Sequence, residues 1–155
     1  MPVTVLTDSY ASEAELADYA LARGVTIAGD KTVLLIKAMD WLESQPFIGY
    51  RTVAGQLLAF PRSGFHYPDT EATYFIPTIY NTTIPPRIKQ AQIVAALLID
   101  GGASLLGAVD RAVKSEAVGD ISTTYMDNAG EVTRYPQLSL LLRGFVASGM
   151  LVSRG

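Results

Sequence analysis

Cysteine is absent from this chain of 155 residues, and histidine occurs only once. A chain without cysteine has no disulfide, no thiolate zinc site and no thiol nucleophile. A single histidine also excludes a histidine-rich metal site. The lack of cysteine fits a protein that works in a reducing compartment. These absences remove several common classes of small enzyme and metal-binding domain.

Charge is scarce as well, at 17% of residues, against a usual fraction of about 25%. The net charge is −3, and no run of lysine or arginine provides the basic surface of an autonomous DNA-binding domain. Apolar residues make up 49% of the chain, which is enough for one folded domain and argues against intrinsic disorder. A surface with so few charges is expected to be partly covered, as in an oligomer or an assembly component.

No segment has the length and apolarity of a membrane span. The most apolar stretch, from Ile93 to Val109, is interrupted by Asp100 and falls short of about 20 residues. A buried helix is therefore the expectation for this stretch. The first residues have neither a basic region nor an apolar core of signal length, so we expect no export.

Capping residues and apolar periodicity predict two helices in the first third of the chain. Ser12 and Glu15 form a capping box, which begins a helix that runs to about Arg23. Gly24 supplies the left-handed residue that ends it. Asp30 caps a second helix that ends before residue 46. The buried stripe of this second helix is predicted at Leu35, Ala38, Met39 and Leu42.

Prolines mark the start of two further helices. Pro85-Pro86 opens the third, which Gly101-Gly102 ends or bends. One apolar side of this helix carries Ile88, Ala91, Ala95, Leu98 and Ile99. The fourth follows Pro136 and is predicted to stop at Gly149, with a stripe at Leu138, Leu141, Leu142 and Phe145. Leu140 falls off that stripe, so it is a candidate contact to a neighbouring subunit.

The remaining segments contain few helical signals. Val53 to Phe60 has room for one helical turn, and Phe65 to Thr83 is predicted as a long aromatic loop. Residues 112–118 and 121–126 predict a β-hairpin around Gly119-Asp120. The expected fold is mainly α: a small bundle of about four helices with an inserted β-hairpin and a long aromatic loop. It forms one domain over residues 1–155, with a C-terminal helix and tail over 137–155.

Candidate chemistry is sparse. Ser63 and His66 lie in a Pro/Gly-rich loop without a nucleophile elbow, and no glycine-rich phosphate loop with its lysine occurs. Residues 127–131 lack the ligand pattern of a calcium loop and predict a turn. The carboxylates of Glu13, Glu15 and Asp18 are expected on a solvated helix face. We therefore expect no enzyme activity, no cofactor and no metal.

Aromatic residues beside arginines are the only hint of nucleic-acid binding. The candidates for base stacking and phosphate contact are Tyr50-Arg51, Phe60-Arg62, Tyr67 and Tyr74. The alternative interpretation assigns Phe60 to the core and Arg62 to a structural role, with its guanidinium bonded to nearby carbonyls or a carboxylate after the bend at Pro61.

Three segments together resemble a tailed-phage protein family whose members are often labelled DnaT-like single-stranded DNA-binding proteins. The first is Thr7 to Ser12, followed by Ala17, Tyr19 and Ala22 to Gly24. The second is similar to a Gln-x-Leu-x-Trp-Pro-Arg-x-Gly motif, with Gln56, Phe60 in the place of tryptophan, Pro61, Arg62 and Gly64. The third, Ile84 to Ala91, resembles the start of a helix in that family.

The resemblance implies a head–tail connector, or neck adaptor, of a long-tailed phage. Such adaptors are mainly helical with a β-hairpin, and they form a ring beneath the portal, typically of twelve copies. The implied partners are the portal protein, a stopper or tail-completion protein, other copies of the chain, and genomic DNA that passes transiently through the channel. The implied place is the virion neck, reached from the host cytoplasm during assembly, with no membrane contact.

Contact residues follow from exposed apolar content and from the resemblance. The expected portal contacts in the C-terminal segment are Leu140, Arg143, Met150, Leu151 and Arg154. The expected contacts to other subunits or to downstream proteins are Tyr67, Tyr74, Phe75, Tyr80, Val118 and Ile121. The alternative function is a phage-encoded replication accessory protein that binds single-stranded DNA through Arg51, Arg62 and Arg87.

Overall fold

The computed structural model describes residues 7–64, 84–105, 115–118, 121–124 and 135–147. The elements in chain order are α1 (Glu13–Leu21), α2 (Lys31–Glu43), β1 (Tyr50–Arg51), β2 (Arg62–Ser63), α3 (Pro86–Asp100), β3 (Ser115–Val118), β4 (Ile121–Thr124) and α4 (Pro136–Leu142). The predicted mainly-α fold with four helices and a β-hairpin is confirmed. No helix among the described residues is long and apolar enough to cross a membrane.

Both predicted N-terminal caps form. The Ser12 hydroxyl accepts from the Glu15 backbone N–H, and the Glu15 carboxylate accepts from the Ser12 N–H. The Asp30 carboxylate accepts from the backbone N–H of Val33 at the start of α2. All four residues of the predicted α2 stripe are buried. Because these signals act within a few residues, the sequence is sufficient to place both helix starts.

α1 ends slightly earlier than predicted. Its last residue is Leu21, but Gly24 has the expected positive φ of 65°. The N–H of Gly24 bonds to the carbonyl of Leu21, and the N–H of Val25 bonds to that of Ala20. This pair of bonds is a Schellman motif, which satisfies the carbonyls at the helix end.

α3 is the central helix, and it packs against α1, α2 and α4. It starts after Pro85 and ends at Asp100, next to Gly101, as predicted. On the predicted apolar side, Ile88, Ala91 and Ala95 are buried, whereas Leu98 and Ile99 are only half-buried. The helix also buries Gln92, Ile93, Val94 and Ala96. A helix surrounded by three others buries more of its circumference than a single stripe.

α4 is shorter than predicted, so the expected helix end at Gly149 is wrong. The helix stops at Leu142, because Arg143 adopts an extended ψ of 124° and Gly144 a φ of 85°. The chain then turns, which leaves Phe145 fully buried, and Val146 pairs with Phe47 in an antiparallel bridge. The buried Phe145 therefore belongs to the core without belonging to the helix.

Two antiparallel ladders complete the fold. β1 pairs with β2, with Tyr50 opposite Ser63 and Arg51 opposite Arg62. Residues 53–60 form turns and bends rather than the predicted helical turn. β3 and β4 form the predicted hairpin, with Val118 opposite Ile121. The N-terminal residues 1–6, the aromatic loop 65–83 and the turn 127–131 lie outside the described residues.

Phe60 lies at the centre of the aromatic part of the core, as predicted, with 1% of its surface exposed. Its ring meets three others edge to face, at centroid distances of 6.1 Å to Tyr10, 4.9 Å to Phe47 and 6.0 Å to Phe145. These partners come from the segments before α1, after α2 and after α4. The ring therefore joins three distant parts of the chain, and it is not available to stack on a nucleic-acid base.

Candidate functional site

Arg62 is held inside the fold by backbone carbonyls. Its guanidinium donates to the carbonyl oxygens of Ile48 at 2.8 Å, Phe47 at 3.2 Å and Gly49 at 2.6 Å. A further bond reaches the carbonyl of Ala59 at 3.4 Å. The planar fork of arginine suits such a cluster of acceptors. The guanidinium thus bonds to nearby carbonyls after the bend at Pro61, which is the arrangement that the structural interpretation of Arg62 expects.

The other motif residues brace the same loop. The Gln56 amide donates to the carbonyls of Leu58 at 2.7 Å and Pro61 at 3.0 Å. The peptide bond between Phe60 and Pro61 is cis. Gly64 has a φ of 84°, and a Cβ there would clash with the ring of Tyr50. The motif thus shapes and supports the loop between β1 and β2, and this role accounts for its residue types.

A buried network ties this loop to the N-terminal segment and to α2. The Tyr10 hydroxyl donates to the Glu43 carboxylate at 2.6 Å and accepts from the Phe60 backbone N–H at 2.9 Å. The same carboxylate accepts from the Ala59 N–H. Burial, reinforced by the hydrogen bond to Glu43, raises the pKa of Tyr10 well above its usual range. Tyr10 therefore stays protonated and acts as a structural donor.

An open apolar groove of about 530 Å³ runs between α1, α3 and α4. Its lining, which defines what we call the groove, comprises Tyr19, Arg23, Val25, Gln90, Val94, Leu97, Leu98, Gln137, Leu140 and Leu141. Leu140 is 61% exposed, in agreement with its position off the α4 stripe. The Arg23 guanidinium lies 3.4 Å from the centre of the Tyr19 ring, at the α1 side of the groove. The groove combines a largely apolar lining with one cation.

The acidic face of α1 is less solvated than expected. Glu13 accepts from the hydroxyl of Thr32 at 2.7 Å. Glu15 pairs with Lys89 of α3 at 2.8 Å, while Asp18 is exposed. Glu13 and Glu15 therefore have partners on α2 and α3 that the sequence analysis did not expect, although the side chain of Glu15 remains 43% exposed. Arg87 is also engaged: it donates to the carbonyl of Leu140 and lies 5.7 Å from the centre of the Phe145 ring.

Many of the predicted contact residues lie outside the described part of the chain. These are Tyr67, Tyr74, Phe75, Tyr80, Met150, Leu151 and Arg154. Of the others, Arg143 is exposed directly after α4, and Val118 is paired with Ile121 in the backbone register of the hairpin. Among the predicted contacts within the described part of the chain, Leu140 is the one that lines the groove. The prediction that these residues contact other proteins stays a prediction.

The described residues show no arrangement that supports a catalytic site. Ser63 is buried, with its hydroxyl 3.3 Å from that of Thr52, and His66 lies outside them. Within residues 7–64, 84–105 and 135–147, no group of three or more acidic or histidine side chains could hold a metal ion. The groove and the buried Gln92 are features that the sequence analysis missed. The available signal for Gln92 was its position four residues after Ile88 and three before Ala95, on the predicted apolar side of the helix.

Comparison with known proteins identifies a family that matches this chain. A family model with the description "Putative DnaT-like ssDNA binding protein" matches residues 3–155, which is nearly the whole chain. No curated protein and no solved structure matches the chain.

Proposed function

The chain belongs to the family described as DnaT-like ssDNA-binding proteins, and we propose that it serves as a structural virion protein. In this proposal it forms a neck adaptor ring that joins the portal to the stopper or tail and continues the DNA channel. It has no enzyme activity in this role. It is made in the host cytoplasm and ends in the virion neck. The support comes from the sequence resemblance to neck adaptors and from the way the described surface is built.

The engagement of Arg62 and Arg87 within the fold is the observation that carries this proposal. Arg62 and Arg87 both donate to backbone carbonyls, so their guanidinium groups support the loop and α4. Lys89 pairs with Glu15. Phosphate binding depends on several cations that meet the backbone together, each releasing counterions. A channel through which DNA slides without being retained needs no such cluster.

Exposed apolar side chains provide a second, independent argument for an assembly role. Leu21, Leu57 and Leu140 are 80%, 70% and 61% exposed. Single exposed leucines are common on monomers, but Leu140 lines a groove with other apolar side chains. A partner protein that covers such a surface gains the free energy of apolar burial.

The contacts are proposed by segment. Residues 138–155 meet the portal, with Arg143 as the exposed cation of their described part. The hairpin of β3 and β4 and the aromatic segment 65–80 meet neighbouring copies or the stopper. DNA in the channel touches the ring only transiently, and the ring holds about twelve copies, as the resemblance implies.

Single-stranded DNA binding is the second candidate, and the family description supports it more directly than it supports the adaptor role. The strongest candidates for contact with DNA are Tyr50 and Arg51, because both are exposed on β1 and are adjacent in the sequence. An exposed aromatic ring beside a cation is the element that stacks on a base and neutralises a phosphate. Phe60 does not contribute, because it is buried.

Cryo-electron microscopy of the protein mixed with its portal ring tests the first proposal. We expect ring density of this subunit beneath the portal for the full chain. Deletion of residues 148–155 should abolish docking while circular dichroism and the unfolding midpoint stay close to those of the full chain. Normal docking of the truncated protein would reject the portal assignment, and no association of the full chain with the portal would reject the adaptor role.

Filter binding of a labelled oligonucleotide across a salt series tests the second candidate. DNA binding through β1 predicts affinity that falls with salt and that Arg51→Ala weakens at every salt concentration. Arg143→Ala, which changes an exposed arginine at the end of α4, is the matched control. Absent or salt-independent binding by the folded full chain would eliminate this candidate. Salt-sensitive binding by a chain that ignores the portal would make it the leading function.

A further inference from the structure

A second apolar surface lies on the outer face of α2. Val33 and Ile36 are 46% and 42% exposed, and the side chains of Lys37 and Asp40 flank them. We call these four residues the α2 ridge. The opposite face of α2 carries its buried stripe and packs on α3. The ridge and the groove therefore lie on different sides of the bundle, and both are accessible in one molecule.

The two surfaces match in length. With a rise of 1.5 Å per residue, Val33 to Asp40 spans about 10.5 Å along α2. By the same rule, Gln90 to Leu98, which form the α3 side of the groove, span about 12 Å. Apolar residues at i and i+3, with a charged residue at i+7, are a pattern that fits a helix laid into an apolar groove.

Charge favours the α2 ridge over the exposed apolar segment between β1 and β2 as the occupant of the groove. Arg23 is the cation that lines the groove, and Asp40 places a carboxylate on the ridge. The exposed side chains of Val53 and Leu57 offer an alternative occupant. However, residues 50–63 contain two arginines and no acidic residue, so they offer no carboxylate to Arg23, whereas the ridge offers Asp40 next to its own cation Lys37.

We propose that the α2 ridge of one copy lies in the groove of the next copy, with Asp40 facing Arg23. The two patches differ, so the contact is heterologous and adds copies head to tail until a ring closes. Because Leu140 lines the groove, the contact assigns this residue to the interface between copies and leaves Arg143 to the portal. The inference deepens the proposed assembly role and rests on it for the expectation that copies of the chain meet.

The natural absence of cysteine makes the contact directly testable by cross-linking. Ile36→Cys and Leu140→Cys place one thiol on the ridge and one in the groove of separate full-length proteins. After mixing, with and without the portal ring, a short bismaleimide should join the two variants into a mixed dimer identified by mass spectrometry. Leu57→Cys is the matched control, because it places a thiol on the exposed loop instead of the ridge.

Charge reversal then tests the predicted pair. Arg23→Glu or Asp40→Arg alone, in the background of the cysteine variants, should lower the yield of the mixed dimer roughly fivefold, because like charges then face each other. Arg23→Glu on the groove partner combined with Asp40→Arg on the ridge partner should restore the yield. Circular dichroism of each variant checks that it remains folded.

Three results would overturn the inference. They are no mixed dimer in either mixture, equal cross-linking of Leu140→Cys to Leu57→Cys, and failure of the double reversal to restore the yield. The outcomes of the cross-linking experiment can be distinguished from those of the portal experiment. Ring density beneath the portal without this cross-link rejects the interface and leaves the adaptor role intact. The cross-link in a protein that ignores the portal supports the interface and rejects that role.

Discussion

The side-chain oxygen of Gln92 lies 2.9 Å from the backbone nitrogen of Tyr10 and accepts its hydrogen bond. The same oxygen accepts from the N–H of Ala11, and the amide nitrogen donates to the Ser9 hydroxyl at 2.7 Å and the Leu35 carbonyl at 3.0 Å. All four contacts are buried. One amide on the central helix thus supplies partners to polar groups of the segment before α1 and of α2.

Replacement of Gln92 by leucine is expected to destabilise the fold strongly. Leucine has a similar volume but leaves the N–H groups of Tyr10 and Ala11 buried without an acceptor. Each such group costs roughly 1–3 kcal/mol, so we expect a loss of about 2–6 kcal/mol in the free energy of unfolding. Urea denaturation measures it. Gln90→Leu is the control, since the amide of Gln90 is half-buried and donates one bond, to the Tyr19 hydroxyl; an equal loss in both variants would contradict the argument.

The contrast between Gln92 and the helix caps explains which parts of the fold the sequence predicts. Ser12 and Asp30 act on N–H groups three residues away, so their roles follow from local sequence alone. The partners of Gln92 lie 57 to 83 positions away along the chain, and no local pattern indicates them. The early end of α4 is similar, because it depends on the burial of Phe145 among residues from other segments.

The features of the candidate site also fall into those that local sequence predicts and those that depend on packing between segments. The exposure of Leu140 follows from helical spacing, and the roles of Phe60 and Arg62 follow from a proline bend beside a large apolar residue. The groove could not be predicted from the sequence, because it is formed by three helices and no single segment determines how they pack. The pairing of Glu13 and Glu15 with other helices was also missed, since a carboxylate on an amphipathic helix has the same sequence pattern whether solvent or a lysine faces it.

Phe60→Ala should lower the free energy of unfolding by about 3–5 kcal/mol, because a fully buried ring that contacts three other rings leaves a cavity. Thermal or urea unfolding gives the value. Leu57→Ala, three residues earlier, removes a side chain that is 70% exposed and should change stability by less than about 0.5 kcal/mol. A loss below about 1 kcal/mol for Phe60→Ala would mean that the ring does not fill the core.

Arg62→Lys should destabilise the protein even though it keeps the positive charge. The guanidinium of Arg62 donates to the carbonyls of Phe47, Ile48 and Gly49 at once. A lysine ammonium group cannot reach all three, so at least one of these carbonyls loses its donor. We expect a loss of about 1–3 kcal/mol in the free energy of unfolding. Arg51→Lys on the paired strand β1 is the matched control and should be near neutral. Comparable stability of both lysine variants would argue against a geometric role for the Arg62 fork.

The Glu15–Lys89 pair predicts a pH dependence of stability with a definite sign. Part burial of the Glu15 carboxyl favours its neutral form, but the hydrogen bonds from Lys89 and the Ser12 backbone N–H outweigh it and hold the pKa of Glu15 below its usual range. The unfolded state, in which the pKa of this carboxyl is about 4.3, therefore takes up the proton first as the pH falls. The stability that the carboxylate contributes is present above that value and is lost as the pH falls through the folded-state pKa.

A double-mutant cycle of Glu15→Gln, Lys89→Met and the double variant isolates this contribution. The coupling between the two positions, measured by urea denaturation, should be present at pH 7 and should fade as the pH is lowered toward 3. The Ser12 contact cancels in the cycle, because the amide oxygen introduced by Glu15→Gln can accept the Ser12 N–H equally in the single and the double variant. Coupling that persists unchanged at pH 3 would mean that an interaction other than the ion pair joins α1 to α3, since a protonated carboxyl no longer attracts the ammonium group.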